Sequence, residues 1–135
     1  MSDLIIFDTS VLVDQLRTDR HRRRIETLSG LIRNSSVVMA ELWRGAATPA
    51  DRDALLALGR NHPMLTPTEK NWLDSGKILA NIRAERSFAA DKMRDLHFDV
   101  LIALTARSHG ARLITSNRVD FEMIDRYRKL ELEIW

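Results

Sequence analysis

Four carboxylates far apart in the chain each stand beside an apolar run. Asp8 follows Leu4-Ile5-Ile6-Phe7, and Glu41 follows Val37-Val38-Met39-Ala40. Asp99 opens the apolar stretch Val100 to Ala106, and Asp120 lies just past Leu113-Ile114-Thr115-Ser116-Asn117. In an open parallel sheet the carboxyl ends of the strands, and the helix starts after them, line one crevice where ligands bind. Like charges brought together there repel and lose hydration, which is tolerable only if some protonate or a multivalent cation neutralises them. Donors that are all oxygen suit a hard divalent ion such as Mg²⁺. The chemistry this predicts is metal-assisted attack on a phosphodiester.

Each acid also has a plainer use. Asp8 could cap a helix starting near Ser10, but Ser10 can do that itself. Glu41 could complement a helix dipole or pair with Arg44 three residues on. Asp99 could cap its apolar helix, although Ile102 stands where a capping box needs Glu or Gln. Asp120 could cap a short turn at Phe121. Asp95, one helical turn before Asp99, is a reserve ligand. Thr9, Ser10, Thr115 and Asn117 are placed to hydrogen-bond the carboxylates or a bound water. His97, flanked by Leu96 and Phe98, reads as a packed residue, and His21, His62 and His109 show no ligand spacing. Trp43, Trp72 and Trp135 read as core or interface residues.

The elements that must position these groups alternate. Leu4 to Phe7 predicts a buried strand, followed by a helix over Val11 to Arg17 that Thr9-Ser10 can start. Ile25, Leu28, Leu31 and Ile32 have helical spacing and predict a helix over Arg22 to Arg33. The β-branched run Ser35 to Met39 predicts a strand, and Glu41 to Ala47 a helix directly after it. Pro49 fits the first turn of a helix carrying Leu55, Leu56 and Leu58. Pro63 to Pro67 predicts a short strand with its prolines at the ends. Thr68 starts a long amphipathic helix to about Arg86. Ser87 to Met93 has no pattern and reads as a loop or junction. Asp99 to Ser108 is apolar on most sides and predicts a buried helix that Gly110 terminates. Arg112 to Thr115 is a strand, Phe121 to Ile124 one short turn, and Leu130 to Ile134 a last strand. Strands alternating with helices imply a parallel sheet covered on both faces.

The chain of 135 residues is most simply one domain, 1–135, large enough to bury a core without staples. It contains no cysteine, which excludes disulfides, thiolate catalysis and cysteine zinc sites. Its start, Met1-Ser2-Asp3-Leu4, lacks the features of a secretory signal, and no apolar run reaches the ~20 residues of a membrane span. A cytoplasmic protein with no membrane partner is expected. The net charge of +2 is small, but Arg17, Arg20, Arg22, Arg23 and Arg24 are dense beside His21. They could grip a polyanion next to an acidic centre, or form a solvated face balanced by Asp19 and Glu26.

Asp8-Thr9-Ser10 after an apolar strand, Glu41-Leu42 with Gly45, Asp99 followed by Leu101-Ile102-Ala103-Leu104-Thr105-Ala106, and Thr115-Ser116-Asn117-Arg118-Val119-Asp120-Phe121 together resemble the PIN-domain ribonucleases. Among these, the chain is most similar to the small VapC-type toxins of toxin–antitoxin pairs, and the likeness covers nearly its whole length in order. The resemblance implies a three-layer α/β/α fold around a central parallel sheet and an endoribonuclease dependent on Mg²⁺ or Mn²⁺. It further implies a VapB-type antitoxin as partner, cellular RNA as substrate, and commonly a homodimer. Asp8, Glu41, Asp99 and Asp120 match the family's acidic quartet, with Asp8, Asp99 and Asp120 expected on the metal. A different class of protein, a non-catalytic PIN-like RNA- or protein-binding module, would keep the fold without a working quartet.

Overall fold

In the computed structural model, which describes residues 3–135, five parallel strands form one sheet in the order β3-β2-β1-β4-β5. Met1 and Ser2, part of the start read as lacking a secretory signal, lie outside the described residues. The strands are β1 (Leu4–Phe7), β2 (Leu31–Ser35), β3 (Met64–Leu65), β4 (Arg112–Thr115) and β5 (Glu131–Ile134). Between β1 and β2 run α1 (Thr9–Thr18) and α2 (Arg22–Glu26), and between β2 and β3 run α3 (Ser36–Arg44) and α4 (Pro49–Asn61). The connection from β3 to β4 carries α5 (Glu69–Glu85) and α6 (Ala90–Ser108), and α7 (Arg118–Tyr127) joins β4 to β5.

The strand order decides the layers. Moving outward from β1 to β2 and β3, right-handed crossovers place α1 to α4 on one face. Returning across β1 to β4 and β5, they place α5 to α7 on the other. The direction reverses between β1 and β4, so the crevice of an open α/β sheet falls beyond the ends of these two strands. Ile5, Ile6, Leu113 and Ile114 of that central pair have no solvent exposure, nor do Val100 and Ile102 of α6. A continuous apolar run suits a strand buried on both faces. Among the described residues no helix is long and apolar enough to cross a membrane.

Several element boundaries differ from the sequence reading, and some of them move a site residue. β2 is Leu31–Ser35 rather than Ser35 to Met39, and α2 ends at Glu26 rather than at Arg33. Leu31 and Ile32, whose spacing imitated a helix face, pair instead with Leu4 and Ile5. Gly30 makes the break: at φ 138° it adopts a backbone that side chains rarely take, and a Cβ there would lie 2.8 Å from the Asp3 carbonyl oxygen. Ser35 then caps α3, its hydroxyl accepting from the Val38 amide, so Val37 and Val38 are helical despite their β-branching. Glu41 therefore sits on the second turn of a helix, not at the end of a strand.

α6 begins at Ala90, so Asp99 lies mid-helix and is no N-cap. The α6 start was hard to read because its N-cap, Ala89, offers no side-chain hydrogen bond. α7 is a full helix rather than one turn. Asn117 caps it by accepting from the Asp120 amide, and Phe121, Met123 and Ile124 bury its inner face. Pro49 opens α4 behind a Thr48–Asp51 capping box, and Thr68 opens α5 with Asn71, as their sequences suggest.

Candidate active site

Asp8 leaves β1 as the residue before α1 and is 3% exposed. Its backbone amide donates to the Ile114 carbonyl of β4 at 2.9 Å, which ties the ends of the two central strands together. One carboxylate oxygen, Oδ2, accepts from the Ser10 hydroxyl and from the Thr115 hydroxyl, each at 2.8 Å. Those hydroxyls are held in turn: the Ser116 amide donates to Ser10 at 3.1 Å and the Asn117 amide to Thr115 at 2.9 Å. Asp8 is therefore locked in orientation by one oxygen, and its Oδ1 makes no hydrogen bond among the described residues.

Glu41 reaches the same place from α3, accepting from the Thr9 hydroxyl at 2.8 Å. Burial raises its pKa; the Thr9 hydrogen bond lowers it, the charge of Asp8 raises it, and Arg44 lowers it. Arg44 does not bond Glu41, and its guanidinium lies 5.5 Å from the Phe98 ring centroid instead.

Asp99 faces the others from the middle of α6. It has neither a hydrogen bond nor an ion pair among the described residues. Burial, and then the charges of Asp8, Asp120 and Glu41, push its carboxyl up to about 8, against a smaller opposing pull from Lys92. The charges of the four acids, scattered along the sequence, thus act on one another across the ends of the central strands. Asp95 is exposed and acts on Glu41 from the rim.

Asp120, on the first turn of α7, is 8% exposed and fully engaged. Lys92 donates to both of its oxygens, at 2.8 and 2.7 Å, and the Asn117 side-chain amide donates to Oδ2 at 3.0 Å. Lys92 was missed in the sequence, since it falls in the segment read as a loop, and its Asp120 partner is 28 positions away. No local spacing could have shown the pair. His97 is packed as expected, its Nε2 3.1 Å from the Ser75 hydroxyl and its ring edge-on to Trp72. The Arg17 to Arg24 cluster makes no contact with the acids. Arg22 pairs with Asp19, Arg20 with Asp14 at 3.6 Å, and Arg24 lies over the Trp135 ring at 5.4 Å.

Among the described residues no three carboxylate or imidazole side chains stand close enough to form a ready-made cation cage. The donor chemistry nonetheless fits Mg²⁺, which dehydrates reluctantly and is typically held by one or two carboxylates, several waters and substrate phosphates. Asp8 Oδ1, Glu41 Oε2 and the Asp99 carboxylate have no hydrogen-bond partner among the described residues, and these are the oxygens that could hold such an ion.

A PIN-domain family model matches residues 5–127, and the chain belongs to the PIN-domain family. Among curated proteins no sequence is significantly similar. Solved structures share the fold. A chain of the VapBC2 structure from Rickettsia felis, bound to a DNA fragment from their promoter, has a TM-score of 0.73 at 22% identity, with 98% of each chain covered. VapBC-1 from nontypeable Haemophilus influenzae gives 0.73 at 23% identity over 98% of each chain. VapBC-5 from Mycobacterium tuberculosis, a member of the VapBC family of toxin–antitoxin systems, gives 0.59 at 26% over 98% of each chain.

Proposed function

We propose that this PIN-domain protein is a VapC-type toxin, an endoribonuclease that uses Mg²⁺, or Mn²⁺ in its place, to hydrolyse phosphodiester bonds in cellular RNA. The observation that carries the reading is Asp99, a carboxyl with no protein partner among the described residues that burial and then three other acids push up to about 8. Such a group is costly in a metal-free fold and useful beside a divalent cation. The toxin–antitoxin character of the similarly folded structures supports the biological role with a VapB-type antitoxin as partner; a homodimer in the cytoplasm is the assembly and location we propose for such a toxin.

Asp8 and Asp99 would hold the cation, with Glu41 adding to the negative field or bonding an ion-bound water. Asp120, the third expected ligand, is already engaged by Lys92 and Asn117, and would meet a cation only through its remaining lone pairs. When bound, a divalent cation supplies charge stabilisation at the phosphate and lowers the pKa of water. The protein supplies position. Thr115 and Ser10 fix the Asp8 carboxylate, Thr9 fixes Glu41, and Asp120 with Asn117 presents the Lys92 ammonium at the edge of the site. Overall, water adds to phosphorus, the bond to the 3′-oxygen breaks, and that oxygen leaves with a proton. An antitoxin arginine reaching the crevice would pair with these acids and compete with the cation.

Incubation of total cellular RNA with the purified protein tests the reading. Cleavage that requires Mg²⁺, stops with EDTA and is absent from Asp8→Asn supports it. RNA left intact at every metal concentration would contradict it.

A further inference from the structure

Beside the acids, on the α7 side, runs a groove of about 570 Å³ whose charge is opposite to theirs. Arg86 at the end of α5, Lys92 at the start of α6, and Arg118 and Arg126 from α7 line it, and Asp120 forms the wall it shares with the acidic site. Arg118 pairs with Glu122 at 2.8 Å across an exposed surface, and exposed pairs exchange readily for other partners. Arg86 and Arg126 make no ion pair among the described residues. Three separate segments thus bring four cations to one depression. Two apolar surfaces lie among them: the half-buried Phe88, with the Lys92 ammonium 5.9 Å from its ring centroid, and Val119, which is 78% exposed.

A cluster of carboxylates repels a phosphate backbone, so an RNA substrate must be held by positive charge next to the site rather than within it. The Arg17 to Arg24 cluster is less suited, because it makes no contact with the acids and so would hold a backbone away from the site. The α5–α6–α7 groove is better suited. It abuts the acids, and its innermost cation, Lys92, is held in place by both Asp120 oxygens. An aromatic face between basic side chains is the arrangement that accepts unpaired bases while cations follow the backbone.

Building on the ribonuclease reading, we propose that this groove is the track for a single-stranded RNA segment. Its phosphates lie along Arg126, Arg118 and Arg86 and reach the acids at Lys92, and one base stacks on Phe88.

The test measures binding apart from cleavage, using the cleavage-dead Asp8→Asn protein and a fluorescent single-stranded oligoribonucleotide followed by anisotropy. Adding Arg86→Ala, Arg118→Ala and Arg126→Ala together is expected to weaken binding at least about tenfold at 0.1 M salt. It should also reduce the slope of log affinity against log salt by about 2, three phosphate contacts at roughly 0.7 each. Phe88→Ala should cost about fivefold with the slope unchanged, the sign of a lost stack rather than a lost charge. Arg22→Ala with Arg23→Ala should cost less than about twofold. Arg126→Glu alone, on the exposed face of α7, repeats the comparison if the triple variant melts early. Full binding by the groove variants, an equal loss from the Arg22/Arg23 pair, or tighter binding of a duplex of the same length would overturn the track and leave the ribonuclease reading standing. Wild-type protein that neither binds nor cuts RNA would overturn both.

Discussion

The two halves of the acidic site are built in opposite ways. On the sheet side, Asp8 is buried, and two hydroxyls that are themselves anchored by backbone amides hold one of its oxygens. On the helix side, Asp99 stands on α6 without a partner, and burial and its neighbours push its carboxyl up to about 8. The first arrangement fixes a ligand's direction at little electrostatic cost, because hydrogen bonds to the charged form favour it. The second concentrates the repulsion of the whole cluster in one group. A site that needed only rigidity would have given Asp99 a hydroxyl too. On the proposed metal-dependent reading, Asp99 is the group whose charge a bound cation would neutralise.

The comparison is sharpest when the unpartnered acid is removed. Asp99→Asn should lower RNA cleavage by well over about a hundredfold, since groups that merely orient ligands already cost 10–100-fold. The same variant should melt higher than wild type in EDTA, because the repulsion is gone. Activity assays and thermal melts in parallel check both halves, and a variant that loses activity and also melts lower would show Asp99 to be a structural residue.

On the sheet side the expectation reverses. Thr115→Val removes a buried donor to Asp8 and should destabilise the metal-free protein by about 1–2 kcal/mol. It should also weaken Mg²⁺ dependence about tenfold or more, read from the cation concentration at half-maximal cleavage. If Thr115→Val left both quantities unchanged, the account of Asp8's orientation would fail.

The pH dependence follows from Asp99 with a definite sign. An unfolded aspartate titrates near 3.9 and the folded one near 8. Below about pH 4 the group is protonated in both states and its contribution to stability is fully present. Between about 4 and 8 only the unfolded chain releases the proton, so the metal-free protein loses stability steadily as pH rises. Urea melts of wild type and Asp99→Asn in EDTA should therefore diverge over this range, and saturating Mg²⁺ should close the gap for wild type. Parallel curves from pH 4 to 8 would place the raised pKa elsewhere.

The smallest effect belongs to Glu41. Thr9→Val removes the hydrogen bond that favours its charged form, so its pKa should rise further. The acidic limb of the pH–rate profile should move to higher pH, with cleavage a few-fold lower on that limb and unchanged on the alkaline side.

The sequence made the sheet side of the site far more legible than the helix side, for physical reasons. Leu4 to Phe7 and Arg112 to Thr115 are buried on both faces, and each reads as a strand directly. Asp8, Thr9, Ser10 and Thr115 sit at their ends by chain continuity alone. Pro49 and Thr68 marked the starts of their helices because first-turn and capping preferences are local chemistry. Errors arose where tertiary contacts overrode local preference. Val37 and Val38 are strand formers held in a helix by the Ser35 cap, and Leu31 and Ile32 matched a helical period by coincidence. α6 starts without a capping side chain, so Lys92 went into a supposed loop and its pairing with Asp120 could not be foreseen. The four acids stand out in the sequence all the same, because a charge beside an apolar run does so whatever element carries it.

The chemistry of the cut ends tests the metal-dependent ribonuclease most directly. Four histidines without pairing in the sequence, with His97 engaged by Ser75, offer no acid and base to work through the substrate's 2′-hydroxyl. An acidic site that uses water should leave a 5′-phosphate and a 3′-hydroxyl, only when Mg²⁺ or Mn²⁺ is present, and should still cut a substrate whose 2′-hydroxyl at the cleaved nucleotide is replaced by hydrogen. A 2′,3′-cyclic phosphate formed at full rate in EDTA would contradict the account.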